Sequence, residues 1–342
     1  MSIVVIGGGA IGLLVAGRLA IAGQQPSALL ARPSSVAALS ARPLTISLKG
    51  AITAVPHLRV AGGIADLPAD CRRPDLAILC VKGYDTPGAI TTLRELDAGR
   101  TLTLQNGIGN EEQLVAAFGS TRVIAGVITT SVEAPSPTQV VITKLGGVGL
   151  APVDPTTEVA PWVAAFTAAG FPVKTYGDYR ALKWSKALLN MLGNAQAAIL
   201  DLKVPQIYAD ARLLDLDLRA AREALAVMAH IGARPLNLPG YPAATVALLA
   251  RFLPTTALRL LLRRLVGGGR GGKDPSLLRD LRAGRTRSEG EQLYGAVAAE
   301  AVARGVPAPV NAALWRVLGG IVRGEVAWAT YRGQPERLLA EV

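Results

Sequence analysis

Residues 1–20 read MSIVVIGGGAIGLLVAGRLA. A run of apolar, mostly β-branched residues from Ser2 to Ile6 leads into Gly7, Gly8, Gly9 and Gly12, and Ala10 to Ala22 then has helical composition and stops at Gly23. Strand, tight turn and helix in that order are what a dinucleotide-binding βα unit requires. In Gly7-x-Gly9-x-x-Gly12 each glycine has its own task. Gly7 permits the turn, Gly9 lets the backbone approach a pyrophosphate, and Gly12 allows helix and strand to pack closely. The N–H groups at the start of the helix, around Ala10 and Ile11, add donors and the positive end of the helix dipole.

The rest of the N-terminal half repeats this alternation. Residues 27–31, 75–81, 101–104 and 122–127 form further short apolar runs, with helical stretches near 86–96 and 110–118. Uninterrupted apolar strands separated by helices predict a doubly wound parallel sheet covered on both faces. Residues 139–150, alternating around Gly146-Gly147, predict a hairpin appended to that sheet. A helix near 157–169 and a strand at 171–175 follow, after which strand signals end and the chain becomes rich in Ala and Leu. The expected class is therefore α/β, with a Rossmann-type domain at 1–177 followed by an all-α domain at 178–342.

A length of 342 residues suits two domains, and a composition half hydrophobic supplies ample core material. Cys71 and Cys80 suggest neither a disulfide framework nor a zinc site, and no metal is expected. The first residues lack the basic flank of a signal peptide. The apolar stretch at 243–262 contains Arg251, Pro254 and Arg259, and a charge at mid-bilayer costs about 2.5–3.5 kcal/mol. A cytoplasmic protein without a membrane partner is expected. The net charge is +11, and ten Lys or Arg stand in 251–287 against Asp274 and Asp280. No aromatic platform, helix-turn-helix or zinc motif accompanies them, so nucleic acid is not the expected partner. The charge instead suits a polyanionic cofactor and an acidic substrate, and the glycine run at 267–272 is expected to form a loop over the cleft.

About twenty residues past the glycine turn, a carboxylate would select the free ribose hydroxyl of NAD and a basic residue the 2′-phosphate of NADP. This chain has Arg32 there and no nearby carboxylate, which favours NADPH. Farther on, RALKWSKALLNMLGNAQAAI places Lys186, Asn190 and Asn194 four residues apart. On a helix these drift only about 40° per step, so all three are expected along one stripe. An ammonium and two carboxamides in an otherwise apolar helix are poor core material. Asp274-Pro275 reads as an N-cap with proline at the first helical position, putting Ser276 at a helix start, and Ser288-x-x-Glu291 reads as a capping box around Glu289.

These motifs together resemble the ketopantoate reductase (2-dehydropantoate 2-reductase) family over nearly the whole length. The carriers are GGGAIG at 7–12, CVKGYDT with Lys82, QNGIG with Asn106, WSKALLNMLGN with Lys186, Asn190 and Asn194, and DPSLLRDLRAGRTRSEGE with Ser276 and Glu289. The resemblance implies hydride transfer from NADPH to the keto carbon of ketopantoate. Lys186 would be the general acid, Glu289 would orient it, and Asn190, Asn194 and Ser276 would hold the substrate. Lys82 and Asn106 would sit at the nicotinamide end of the cofactor. The sequence departs from the family pattern at Asn194-Ala195, where Asn-Pro is common, at Gln196, at Lys273 and at Gly290, changes expected on the substrate side of the cleft. A reductase of the same architecture acting on another 2-oxo acid or a related carbonyl is the alternative, and a redox-sensing, DNA-associated protein a third. A homodimer is compatible with the sequence.

Overall fold

The computed structural model describes residues 1–253, 257–258 and 274–342. The glycine run at 267–272, Lys273 and most of the basic stretch read from 251 onward lie outside the described residues. Two compact units are found, one of residues 1–183 with 238–241, the other of 184–237 with 242–342.

The first unit begins with β1 (Ile3–Ile6), α1 (Ala10–Ile21), β2 (Ser27–Leu30) and α2 (Pro33–Ala41). Then come β3 (Thr45–Leu48), β4 (Ala51–Ala54), β5 (Val60–Ala61), β6 (Leu76–Leu79), α3 (Thr86–Leu96), β7 (Arg100–Thr103) and α4 (Asn110–Phe118). The remainder is β8 (Val123–Ile128), β9 (Ser131–Ser136), β10 (Gln139–Lys144), β11 (Val148–Pro152), α5 (Ala160–Ala168) and β12 (Val173–Thr175). The main sheet runs β12-β11-β8-β7-β6-β1-β2-β5. Every pair from β5 to β8 is parallel, whereas β11 runs antiparallel to β8. From β1 the chain fills one side of the sheet, then returns to place β6 on the other side of β1. The carboxyl ends of β1 and β6 therefore flank the switch point at which open α/β sheets bind ligands.

Alternation along the strands explains why both faces are covered. Ile3, Val5, Leu29, Leu76, Ile78 and Leu102 belong to one core with Leu13 and Leu14 of α1 and Trp162 and Phe166 of α5. Val4, Ile6, Ala28, Leu30, Ala77 and Leu79 belong to the opposite core with Leu93 of α3 and Leu114 of α4. Successive residues point to opposite faces and all are apolar, at about 1.5–3 kcal/mol for each fully buried Val, Leu or Ile.

The hairpin expected at 139–150 does not form. Strand β10 pairs antiparallel with β9 and parallel with β3 in a separate sheet of order β4-β3-β10-β9, while β11 joins the main sheet. Gly146-Gly147 thus links two sheets. A Cβ on Gly146 would lie 2.4 Å from the Thr129 carbonyl carbon, and one on Gly147 2.3 Å from the Pro172 oxygen. The pair is needed for close backbone approach rather than for a turn.

The division between units falls within α6 (Tyr179–Met191), at Lys183 and Trp184. The second unit continues with α7 (Asn194–Leu200), α8 (Val204–Ala209), α9 (Ala211–His230), α10 (Ala243–Phe252), α11 (Ser276–Arg282), α12 (Ala296–Arg304), α13 (Pro309–Arg323) and α14 (Pro335–Leu339). Its core includes Leu213, Leu214, Val227, Met228, Tyr294, Leu314 and Leu318. No helix among the described residues is long and apolar enough to cross a membrane.

Three local expectations are corrected here. The segment holding Lys186, Asn190 and Asn194 is two helices, broken at Gly193 with φ +66°, a left-handed value that glycine adopts readily. Asp274 is not the cap of α11. Pro275 occupies the cap position and Ser276 is the first helical residue. Ser288 makes no capping box with Glu291, because its hydroxyl accepts from the N–H of Gly290 at 3.1 Å. Glu289 lies in the turn before a π-helical stretch, Glu291–Gly295.

Candidate active site

At the switch point the glycine turn is shaped by what surrounds it. The Gly7 N–H donates to the Leu30 carbonyl at 2.9 Å, and Gly7 has φ +112°. A Cβ on Gly12 would stand 1.8 Å from the Gly7 oxygen and 3.3 Å from the Cys80 Cβ, so α1 packs against the turn with no room for a methyl. At Gly9 the same construction meets nothing within 4 Å. Gly9 is the N-cap of α1, no side chain caps it, and the first turn holds no acidic residue. An open approach to an uncapped helix N-terminus suits a pyrophosphate. Ala10 and Ile11, partly buried, open the helix.

Arg32 follows β2 and is the N-cap of α2, its side chain exposed. Its guanidinium has no ion pair with another described residue, which suits it to a phosphate.

Lys82 and Asn106 follow β6 and β7 at their carboxyl ends, both partly buried. A buried polar lattice joins the two loops. The Gln105 amide donates to the Lys82 carbonyl at 3.2 Å and to the Thr86 hydroxyl at 3.0 Å, and its oxygen accepts from the Thr103 hydroxyl at 3.0 Å. The Thr86 hydroxyl donates to the Gly83 carbonyl at 2.7 Å and lies 3.1 Å from the Asn110 amide oxygen, and Asn110 donates to the Asn106 carbonyl at 3.0 Å. Below lies an ion pair of two buried residues, with Lys183 Nζ 2.8 Å from Glu111 Oε1. Burial pushes the Glu111 carboxyl up from its ordinary range, opposed by the adjacent ammonium. Sequence reasoning missed this pair. Glu111 looked like an ordinary helix-start acid, and the one available signal for Lys183 was a charge among Ala181, Leu182 and Trp184.

In the helical unit the structure brings Asn190, Asn194 and Ser276 together. Asn194 is 4% exposed, and its amide donates to the Asn190 carbonyl at 2.9 Å and lies 3.5 Å from the Ser276 hydroxyl. Its oxygen accepts from the Leu277 N–H at 3.2 Å. Asn194 thus caps α11 and holds Ser276 in place. Three hydrogen bonds hold the helix break beside it. The Gly193 N–H donates to buried Asp217 at 2.6 Å, the Tyr294 hydroxyl donates to the Met191 carbonyl, and the Ala195 N–H donates to that hydroxyl at 3.0 Å. Lys186 is partly buried on α6 and Glu289 is 3% exposed. Among the described residues no group of His, Cys, Asp or Glu could hold a metal ion.

A Rossmann sheet with an open glycine turn at its switch point, joined to a helical unit, defines the class as a dinucleotide-binding oxidoreductase fold. Comparison with known proteins makes this specific. Residues 3–155 match the family model described as ketopantoate reductase PanE/ApbA, and residues 178–322 match its C-terminal counterpart. The chain belongs to the ketopantoate reductase family and is an oxidoreductase. A 2-dehydropantoate 2-reductase of Pyrococcus horikoshii is 27% identical over 322 residues, covering 93% of this chain and 96% of the relative. The crystal structure of a PanE/ApbA family ketopantoate reductase from Ralstonia eutropha has TM-score 0.78 at 25% identity, covering 95% of this chain and 99% of that one. D-mandelate dehydrogenase, solved with NADH and anilino(oxo)acetate, has TM-score 0.79 at 18% identity, with 95% and 99% covered, and shares the fold.

Proposed function

We propose that this chain reduces 2-dehydropantoate to pantoate with NADPH, a step in pantothenate biosynthesis. The observation that carries the cofactor reading is the open, uncapped turn at Gly9 followed by the exposed Arg32. When bound, NADPH supplies the hydride that adds to the 2-oxo carbon. The α1 N-terminus and the backbone at Gly7, Gly9, Ala10, Ile11 and Gly12 hold the pyrophosphate, and Arg32 holds the 2′-phosphate. Lys82 and Asn106 set the nicotinamide end. Lys186 donates its proton to the alkoxide oxygen formed as the hydride arrives, its ammonium stabilising that charge beforehand. Glu289 orients the ammonium. Asn190 and Ser276 hold the substrate hydroxyl and carboxylate, and Asn194 takes part through its hydrogen bonds to both residues.

Two measurements test this reading. The chain is incubated with NADPH and 2-dehydropantoate or other 2-oxo acids, and loss of the reduced-nicotinamide absorbance is followed. Turnover that favours 2-dehydropantoate supports the substrate, while turnover with another acid alone moves the activity to that acid. Lys186→Ala lowers kcat by at least roughly 10²-fold. A near-native rate removes Lys186 from the acid role.

A further inference from the structure

We propose that Lys183 is a positioning residue for the nicotinamide end, its buried ammonium fixing the backbone that carries Asn106 and, through Gln105, the loop that carries Lys82. The inference rests on the cofactor reading above. Lys183 Nζ donates to the Gln105 carbonyl at 2.6 Å and to the Gly126 carbonyl at 3.4 Å, and Glu111 stands 2.8 Å away. An ammonium has three donors, and here three oxygens surround it. Lys183 is 3% exposed and Glu111 1% exposed, so neither gains from water.

The direction of these bonds gives the pair its function. Gln105 immediately precedes Asn106, and its carbonyl is where the chain leaves the sheet after β7. Fixing that carbonyl from below fixes the peptide plane from which Asn106 projects. The Gln105 side chain, anchored by Thr103, reaches the carbonyl of Lys82, so the loop after β6 takes its position from the same residue. Glu111 supplies the counter-charge that lets an ammonium be buried at all. Two apolar residues would fill this volume and often stabilise as well as a buried pair. What apolar residues cannot supply is a donor to the Gln105 oxygen, and a carbonyl in a low-dielectric interior is held firmly by a charged donor.

The experiment compares wild type with Lys183→Met and with the double variant Lys183→Met/Glu111→Met. The single variant strands a buried carboxylate and serves to measure that penalty on folding. The double variant removes both charges and carries the test. Four quantities are read: thermal midpoint, NADPH affinity from nicotinamide fluorescence, affinity for adenosine 2′,5′-bisphosphate, which carries only the phosphate-bearing half of the cofactor, and kcat on whichever 2-oxo acid the wild type reduces. The expected result is a folded double variant whose bisphosphate affinity stays within about twofold of wild type, while NADPH binding weakens roughly tenfold and kcat falls roughly 10²-fold, the scale for displacing reacting groups by about 1 Å. Unchanged NADPH binding and kcat overturn the proposal. So does an equal loss of both affinities, or a double variant that fails to fold, since the pair would then support the unit as a whole. Both affinities are read without a keto acid and kcat on whichever acid the wild type reduces, so a wrong substrate assignment leaves this test standing.

Discussion

Gly9→Ala and Gly12→Ala differ by one methyl at two glycines of the same turn, and the structure assigns them opposite consequences. At Gly12 the new carbon would stand 1.8 Å from the Gly7 oxygen. Relieving that overlap moves the start of α1 or the Gly7 peptide by more than about 1 Å, against a core in which Leu13 and Leu14 are 1% and 0% exposed. Overpacking of this kind costs about 1–3 kcal/mol or more, which appears as a lower urea midpoint. At Gly9, with φ −80° and ψ 179°, alanine meets no atom and no backbone strain. Two small stability terms of opposite sign, the gain from a less flexible unfolded chain and the loss of a tolerated N-cap glycine, nearly cancel. Folding is therefore unchanged while the approach to the helix N-terminus is blocked. Displacing the pyrophosphate from even one charge-assisted N–H bond removes about 1.5–3 kcal/mol, or roughly 10- to 150-fold in NADPH affinity. Binding is followed by nicotinamide fluorescence and stability by urea unfolding monitored by circular dichroism. A Gly9→Ala protein that binds NADPH like wild type would place the pyrophosphate elsewhere and refute the argument.

Arg32→Ala is expected to weaken NADPH by roughly 10- to 150-fold, the worth of one charged hydrogen bond, and to leave NADH within about twofold; equal losses for both cofactors would remove Arg32 from the 2′-phosphate. Asn194→Ala deprives the Leu277 N–H and the Asn190 carbonyl of their partner, so it should cost about 1–3 kcal/mol of stability, read as a lower urea midpoint at unchanged slope. A change in substrate KM alone, with native stability, would restore Asn194 to a binding role and nothing else. Both cysteines are free thiols. Burial pushes the Cys71 thiol up to about 11 and raises Cys80 further. Since the thiolate is the reactive form and a raised pKa depletes it, at pH 8 about one Cys71 in a thousand would be ionised. Cys71, fully buried, should not react with an aromatic disulfide reagent until the protein is denatured, whereas Cys80 is partly exposed; rapid labelling of both thiols in the native protein would contradict the burial of Cys71.

What could be read from the chain without coordinates was whatever depends on neighbours in sequence. The β1, glycine turn and α1 segment was legible because apolar periodicity and glycine spacing act over a few residues. The four-stranded second sheet was not. Its central pairing sets Gln139–Ile142 beside Thr45–Leu48, strands more than ninety residues apart, and β4, exposed along its whole length, lacks the apolar run of a buried strand. Glycine pairs carry the same ambiguity. Gly146-Gly147 has the composition of a hairpin turn, and only the nearness of Thr129 and Pro172 shows that the missing side chains make room for other backbone. The buried Lys183–Glu111 pair was hidden for a related reason, since its two members come from separate helices and each looks ordinary where it stands.

Gln196 illustrates how the helical unit changes the reading of a sequence departure. A bulky amide next to Asn194 was expected on the substrate side, where it would alter which 2-oxo acid fits. In the structure Gln196 is fully buried, and its amide donates to the Leu213 carbonyl at 3.0 Å and to Asp217 at 3.1 Å. Asp217 also accepts from the Tyr208 hydroxyl and from the Gly193 N–H, each at 2.6 Å. The amide therefore helps to satisfy the carboxylate that holds the break between α6 and α7. That break fixes where α6 ends, one residue past Asn190, and where Asn194 begins the next helix, and Asn194 in turn caps the helix that starts at Ser276. Glutamine at this position acts on the support of Asn190 and Ser276 rather than on a substrate surface. The departure at Gln196 is thus absorbed by the core, and it gives no reason to move the substrate away from 2-dehydropantoate.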